Sequence, residues 1–262
     1  MLGAFASEWV KLRRRNVLLW GLGGSLLFTV FATVLTIERA QTSFPPGTQT
    51  RFHVTIAALS RPDGLVHGVL TLSNLLGIVA LCLFASAVAS EYSQGTLRNL
   101  LVRQPQRAKL LSGKFAALAT FLVIAIALAV GLAAGVAFAL APSKGIDTSA
   151  WTSSSGLNEL AHTMAHVYFA SIGYGLLGTA LAIVLRSPAL AVAIGVAYAL
   201  PGEAIVGKLW DAGDHWLPGE LLNALAHGGT TNTTYSRALV TLLIYGGITA
   251  IGTLTVFQRQ DI

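Results

Sequence analysis

The sequence predicts an all-α polytopic membrane protein with six transmembrane helices. The composition is one reason, because 54% of the 262 residues are hydrophobic and only 11% are charged, whereas soluble domains carry roughly 25% charged residues. The grouping of the apolar residues is the other, because they form runs close to the length of about 20 residues that a membrane-spanning helix needs. We therefore interpret residues 1–262 as a single transmembrane domain.

The six apolar runs appear along the whole chain. They cover residues 17–37, 65–90, 115–140, 160–185, 189–207 and 238–257. The first run is too long for a signal-peptide core and lacks a small-residue cleavage site, so we predict a retained span. The last two runs are near the minimum length, and the fifth contains Glu203. Cys82, the only cysteine, lies in the second run, which excludes an intramolecular disulfide.

The basic residues predict the orientation of the spans. Eleven of the 17 lysines and arginines fall in the N-terminal tail, in the loop after the second run, at Arg186 and at Arg259. The other six are spread over loops that also hold eight acidic residues. Because basic residues mark the cytoplasmic face, both termini are predicted to be cytoplasmic in a multi-pass protein of the plasma membrane. The excess of positive charge thus sets topology and does not indicate nucleic-acid binding.

The N-terminal segment combines apolar and basic residues. Phe5, Trp9 and Val10 occur beside Lys11 and the following arginines in residues 1–16. This pattern is typical of an amphipathic helix lying on anionic membrane lipids. The alternative is a simple basic topology anchor.

The loop between the second and third runs has the pattern of a short helix. Glu91 closes the second run, and Gly95 allows the chain to leave helical geometry at low steric cost. Thr96 is a plausible N-cap for a helix that Pro105 must end. Its leucines Leu97, Leu100 and Leu101 form one apolar stripe. Because eight or nine residues are too few for a stable isolated helix, the stripe should pack on other surfaces. The alternative is a positively charged loop with an incidental helix.

The fifth run is interrupted by Pro201-Gly202-Glu203, which is expected to break a regular helix. The tryptophans and leucines after this point suit short helices at the outer membrane interface, so re-entrant or interfacial helices are predicted between the fifth and sixth spans. An ordinary exposed loop is the alternative. Glu203 can either line a substrate route or lie at the interface, since an acid near a span usually faces protein or water.

Some motifs are misleading. Gly173, Gly175 and Gly178 match the dinucleotide pattern G-x-G-x-x-G, but they lie inside an apolar run without the required acid, so helix packing is predicted there and at Gly131 and Gly135. His162 and His166 are four residues apart, as in metal pairs, yet their position is more typical of interfacial histidines, and no metal site is predicted. Hydrolase motifs and a Walker motif are missing, so we predict no catalytic residues.

The loop and the C-terminus resemble those of ABC-2-type transporter permeases. The resemblance rests on Phe257 to Ile262 and on a loop motif formed by Glu91, Tyr92, Gly95, Thr96, Leu97, Leu100, Leu101, Pro105, Arg107 and Lys114. It implies that a short cytoplasmic coupling helix between spans 2 and 3 touches a separate ATPase subunit. It also implies two such ATPase chains, which bind ATP and Mg²⁺, and a second permease chain as homodimer or close homologue. No cofactor is expected on this chain itself.

The resulting hypothesis is an exporter subunit in which substrate moves along the interface between two permeases. Drugs, peptides, lipids and polymers all suit an apolar interface. The rival hypotheses are a membrane enzyme, an ion-coupled secondary carrier, and a membrane scaffold or sensor. A carrier would favour several intramembrane acids or a duplicated half, and neither is seen in the sequence.

Overall fold

The computed structural model describes residues 2–43, 54–71, 73–96, 100, 102, 106–210 and 212–259, and the side chains of residues 2, 16, 20 and 214 are not described. These residues are mainly helical, and the prediction of an all-α polytopic protein is confirmed. Among the described residues, six helices are long and apolar enough to cross a membrane. Spans 1 to 6 are Gly21–Glu38, Ser73–Ser93, Arg107–Lys144, Ser154–Leu185, Pro188–Leu209 and Tyr235–Arg259.

The N-terminal helix, Leu2–Leu12, precedes span 1 and meets it at an elbow. Its buried stripe of Ala4, Glu8 and Leu12 repeats every four residues, which places these side chains on one helical face. The chain turns at Arg14, where the backbone is extended, and continues through Arg15–Val17 and a π-helical segment into span 1. The predicted N-terminal helix is therefore present, although one of its faces is buried against protein.

Span 3 is longer than a membrane crossing requires. Its regular helix, Arg107–Leu140, has 34 residues, which corresponds to about 51 Å at 1.5 Å per residue. A bilayer's hydrocarbon core is only about 30 Å thick. The helix therefore extends beyond the membrane, and its first turns from Arg107 to Lys114 reach the basic end of the bundle.

Spans 2 and 4 pack closely, and two glycines of the G-x-G-x-x-G pattern, Gly175 and Gly178, are part of their contact, while Gly173 faces Leu222. A Cβ at Gly178 would collide with the carbonyl oxygen of Leu81, and one at Gly175 would lie 3.0 Å from Phe84. Gly77 of span 2 faces the ring of Tyr174 in the same way. Small residues at such points let membrane helices approach closely, so the packing interpretation is confirmed for this motif.

Gly131 and Gly135 of span 3 do not follow the same rule. A Cβ at either position would meet no other described atom within 4 Å. The prediction that they bring helices together was wrong within this chain. Glycine spacing alone predicts close approach, but it does not say whether a neighbouring helix lies on that side.

Span 5 corrects the prediction of a broken helix. The chain stays helical from Pro188–Ala197 through the π-helical turn Tyr198–Gly202, which contains Pro201, into Glu203–Leu209. The wider turn accommodates the proline, which has no N–H to donate, without ending the helix. A second helix, Pro218–Ala226, follows and is called the outer helix here. The predicted helices between the fifth and sixth spans are thus present, and the chain passes Pro201 without leaving helical geometry.

Candidate functional site

Four charged side chains meet where the N-terminal helix, the end of span 2 and the start of span 3 converge. The Lys114 amine donates to Glu8 Oε2 at 2.7 Å and to Glu91 Oε1. The Lys11 amine donates to the same Glu91 oxygen at 2.6 Å and pairs with Glu8 at 3.2 Å. We call these four residues the ion cluster. It joins segments that are 106 residues apart in the sequence.

The ion cluster is buried but balanced in charge. Glu8, Glu91 and Lys114 are only 2%, 3% and 4% exposed, while Lys11 is partly open to solvent. Two carboxylates and two ammonium groups offset one another, which is the condition under which charges are tolerated away from water. Removing one member would leave a buried charge without its partner.

Lys11 shows the balance between burial and pairing. Burial alone would lower its pKa, but the hydrogen bond to Glu91 and the charges of Glu8 and Glu91 raise the pKa above its ordinary value of 10.5. A cation with a raised folded-state pKa stabilises the fold below its ordinary pKa and loses this effect as the pH rises through the raised value. The Lys11 contribution is therefore present throughout the neutral range.

Span 2 ends at Ser93, two residues after Glu91. Gly95 has a φ of 65°, the left-handed conformation that often follows a helix and that glycine adopts without strain. Thr96, Leu100 and Val102 are again helical. Leu100, one of the three leucines of the predicted stripe, packs on a cluster that includes Ala4, Val88 and Leu110.

The structure describes only some of the other residues predicted for ATPase coupling. Leu97, Leu101 and Pro105 lie outside the described residues. Arg107 is directed to span 6, because its guanidinium donates to the carbonyl oxygens of Phe257 at 2.7 Å and of Gln258 at 3.3 Å. Basic side chains near a helix C-terminus stabilise its last carbonyls. Arg107 therefore links the start of span 3 to the C-terminal end of span 6 through hydrogen bonds.

Glu8 and Lys11 were not predicted as site residues. Glu8 is the only acid before Glu38 in a basic N-terminal segment. This isolated acid was the one feature of the sequence that could have indicated an ion pair there. Its spacing from Lys11 also permits a pair along one helix face. The sequence could not, however, show that the same face meets Lys114.

Glu203 has a structural partner. Its carboxylate accepts a hydrogen bond from the Gly219 backbone N–H at 2.7 Å and is 4% exposed. Gly219 lies in the first turn of the outer helix, where free N–H groups favour an anion. The hydroxyl of Tyr198, earlier in span 5, also lies near the Glu203 carboxylate. These contacts favour a link between span 5 and the outer helix over a substrate route at Pro201, Gly202 and Glu203.

We expect Gly219→Ala to lower the stability of the outer half of the protein by about 1–3 kcal/mol, the usual effect of overpacking. The added Cβ would collide with the Glu203 carboxylate. Gly207→Ala is the matched control, because its Cβ would meet only Leu217 at an ordinary 3.9 Å. Thermal unfolding in detergent measures both, and equal melting temperatures would contradict the close contact.

The two histidines lie close together on span 4. The ring centroids of His162 and His166 are 6.1 Å apart, and the His166 ring lies 4.8 Å from the Tyr235 ring at a tilted angle of 41°. No group of three or more His, Cys, Asp or Glu residues suited to a metal ion occurs among the described positions.

The fold and the ion cluster together define a class of polytopic helical membrane protein. In it, salt bridges join the N-terminal helix, span 2 and span 3 next to the segment that contains Leu100. Comparison with protein families gives a match over residues 4–202 to the family described as ABC-2 family transporter protein. The chain belongs to this family, which points to a transport subunit and not to an enzyme. No match was found among curated protein sequences.

Proposed function

We propose that this chain is the membrane-spanning subunit of an ATP-driven exporter in the plasma membrane. Two copies, or one copy and a close homologue, would pair with two separate ATPase subunits that bind ATP and Mg²⁺. Substrate would pass along the interface between the permease chains. The observation that carries this proposal is the ion cluster, which is placed next to the helical segment around Leu100.

The ion cluster supports a route for coupling. A partner pressing on the segment after Gly95 would act on Leu100, which packs against residues of the N-terminal helix, span 2 and span 3. Glu91 and Lys114 hold spans 2 and 3 together at this end, and Glu8 adds the N-terminal helix. Displacement of the segment would therefore move three membrane-linked elements together.

The proposal is tested by searching the neighbouring genes for an ATPase with a Walker motif and reconstituting that ATPase with this chain. We expect the two proteins to co-purify and the complex to move substrate into inside-out vesicles only when ATP can be hydrolysed. Screening drugs, short peptides and lipid-linked polymers would identify the cargo. Stable binding without ATP-dependent flux of any class would instead favour the scaffold or sensor hypothesis.

Orientation provides an independent prediction. In a background where Cys82 is replaced by serine, cysteines introduced at Arg98 and Arg186 should not react with an impermeant thiol reagent added outside intact cells. The exposed Ser143, on the opposite end of span 3, should react after the same replacement. Labelling of the Arg98 or Arg186 position from outside would overturn the cytoplasmic assignment of both termini.

A further inference from the structure

A cavity of about 780 Å³ lies on the inner side of the elbow between the N-terminal helix and span 1. The volume falls within the range of small-molecule sites, which are roughly 300–1,000 Å³. One wall contains Lys11, Leu12, Arg14 and Val17 of the elbow region. Span 2 supplies the opposite wall, Glu8 and Glu91 of the ion cluster lie at one end, and Thr96, Leu100 and Val102 complete the lining.

The span 2 wall changes in polarity along its length. The lining residues recur at helical spacing and therefore form one stripe; they are Leu83, Ser86, Ala87, Ser90, Glu91 and Gln94. Leucine and alanine predominate toward the membrane interior, while serine, glutamate and glutamine follow toward the basic end. The stripe covers about 16 Å at 1.5 Å per residue. Its small serine and alanine side chains leave the space that forms the cavity.

The polar end of the cavity has two basic groups, Lys11 and Arg14, beside two acidic ones. Glu8 and Glu91 also line it, but both are paired with lysines in the ion cluster. The Lys11 amine uses two contacts on these carboxylates, and an ammonium group has a third N–H to donate. Arg14 is an exposed residue of the turn and lines the cavity, and a guanidinium can bind a phosphate through two parallel hydrogen bonds.

We propose that this cavity binds one anionic phospholipid of the adjacent leaflet, with its phosphate at Lys11 and Arg14 and an acyl chain along Leu83 and Ala87. The order of polar and apolar groups in a phospholipid matches the order along the span 2 stripe. Neither a free phosphate nor an apolar molecule would use both ends. The proposed function enters only in assigning this leaflet to the cytoplasmic side.

The experiment uses the purified full-length permease, without an ATPase, in nanodiscs containing phosphatidylglycerol and phosphatidylcholine. Native mass spectrometry after release should show one retained phosphatidylglycerol per chain. Arg14→Gln should weaken retention about fivefold, the equivalent of the roughly 1 kcal/mol that one basic residue contributes near an anionic surface. Ser86→Trp should abolish retention altogether, because the indole would fill the exposed middle of the span 2 stripe.

Two control variants separate a site from general surface effects. Arg15→Gln removes the same charge one residue away but outside the cavity, and Thr120→Trp adds the same bulk on an exposed position of span 3. Both should retain the lipid. Equal losses in Arg14→Gln and Arg15→Gln would overturn the proposal in favour of non-specific attraction.

Lipid competition gives the remaining outcomes. Equal retention of phosphatidylcholine would show that charge is not recognised, and displacement by millimolar inorganic phosphate would indicate a free-phosphate site; either result would overturn the proposal. Because no ATPase is present, failure of lipid binding would leave ATP-driven transport untouched, and failure of transport would leave lipid binding untouched.

Discussion

Lys114→Ala is expected to destabilise the protein by about 3–5 kcal/mol, the usual effect of removing one partner from a buried ion pair. The Lys114 side chain is 5% exposed and contacts both Glu8 and Glu91. Without it, two buried carboxylates would share the single charge of Lys11. We expect a large loss of correctly folded protein in the membrane fraction and a lower melting temperature in detergent.

Lys109→Ala is the matched control, because Lys109 lies on the same helix five residues earlier and is exposed. A second variant, in which Glu8 and Glu91 become glutamine and Lys11 and Lys114 become methionine, removes all four charges together. Since an uncharged set avoids the unpaired carboxylates, it should recover much of the lost stability. A Lys114→Ala protein as stable as Lys109→Ala would mean that the ion cluster does not hold this end together.

Leu100→Asp is expected to uncouple ATP hydrolysis from transport while leaving the six spans inserted. The substitution places a charge where Leu100 packs against the cluster of Ala4, Val88 and Leu110. Membrane insertion should survive because position 100 lies outside every span. We expect transport to fall at least tenfold, since about 1.4 kcal/mol of lost packing already corresponds to that factor. Co-purification and substrate-stimulated ATP hydrolysis measure the partner's response.

Val102→Asp separates packing from exposure in the same segment. Val102 is 80% exposed, so the isolated permease should keep its melting temperature, whereas Leu100→Asp should lower it. Glu91→Ala should also impair coupling, because Glu91 holds the base of this segment to Lys11 and Lys114. If Leu100→Asp keeps full partner binding and full transport, the loop serves only as a topology signal.

The six spans were predictable because membrane insertion depends on properties that are local in the sequence. A run of about 20 apolar residues is sufficient to indicate a crossing, whatever its neighbours are. The end of helical geometry at Gly95 was predictable for the same reason, since the positive φ of this glycine reflects a local steric preference. These features depend little on how the helices are later arranged.

The ion cluster and the shape of span 5 were not predictable in this way. Glu8 and Lys114 are 106 residues apart, and only tertiary packing brings them together. At Pro201 the local rule predicted a break, but a π-helical turn preserves the helix, and Glu203 in the next turn bonds the outer helix. Surrounding structure thus overrode a local preference at the point where two elements had to be joined.

The Arg107 contact has a consequence for the order in which the protein is assembled during synthesis. The ion cluster needs nothing beyond Lys114, so it can form once spans 1 and 2 and the start of span 3 have emerged. Arg107, by contrast, must wait for carbonyl groups that are made 150 residues later. N-terminal parts of a chain generally fold first. Span 6 would therefore be the last helix to pack, after the ion cluster has already joined the N-terminal helix, span 2 and span 3. A nascent chain stopped between these events would leave the apolar site that receives Phe257, which includes Val88, Leu110 and Leu111, uncovered. Quality-control proteases could then recognise this exposed surface.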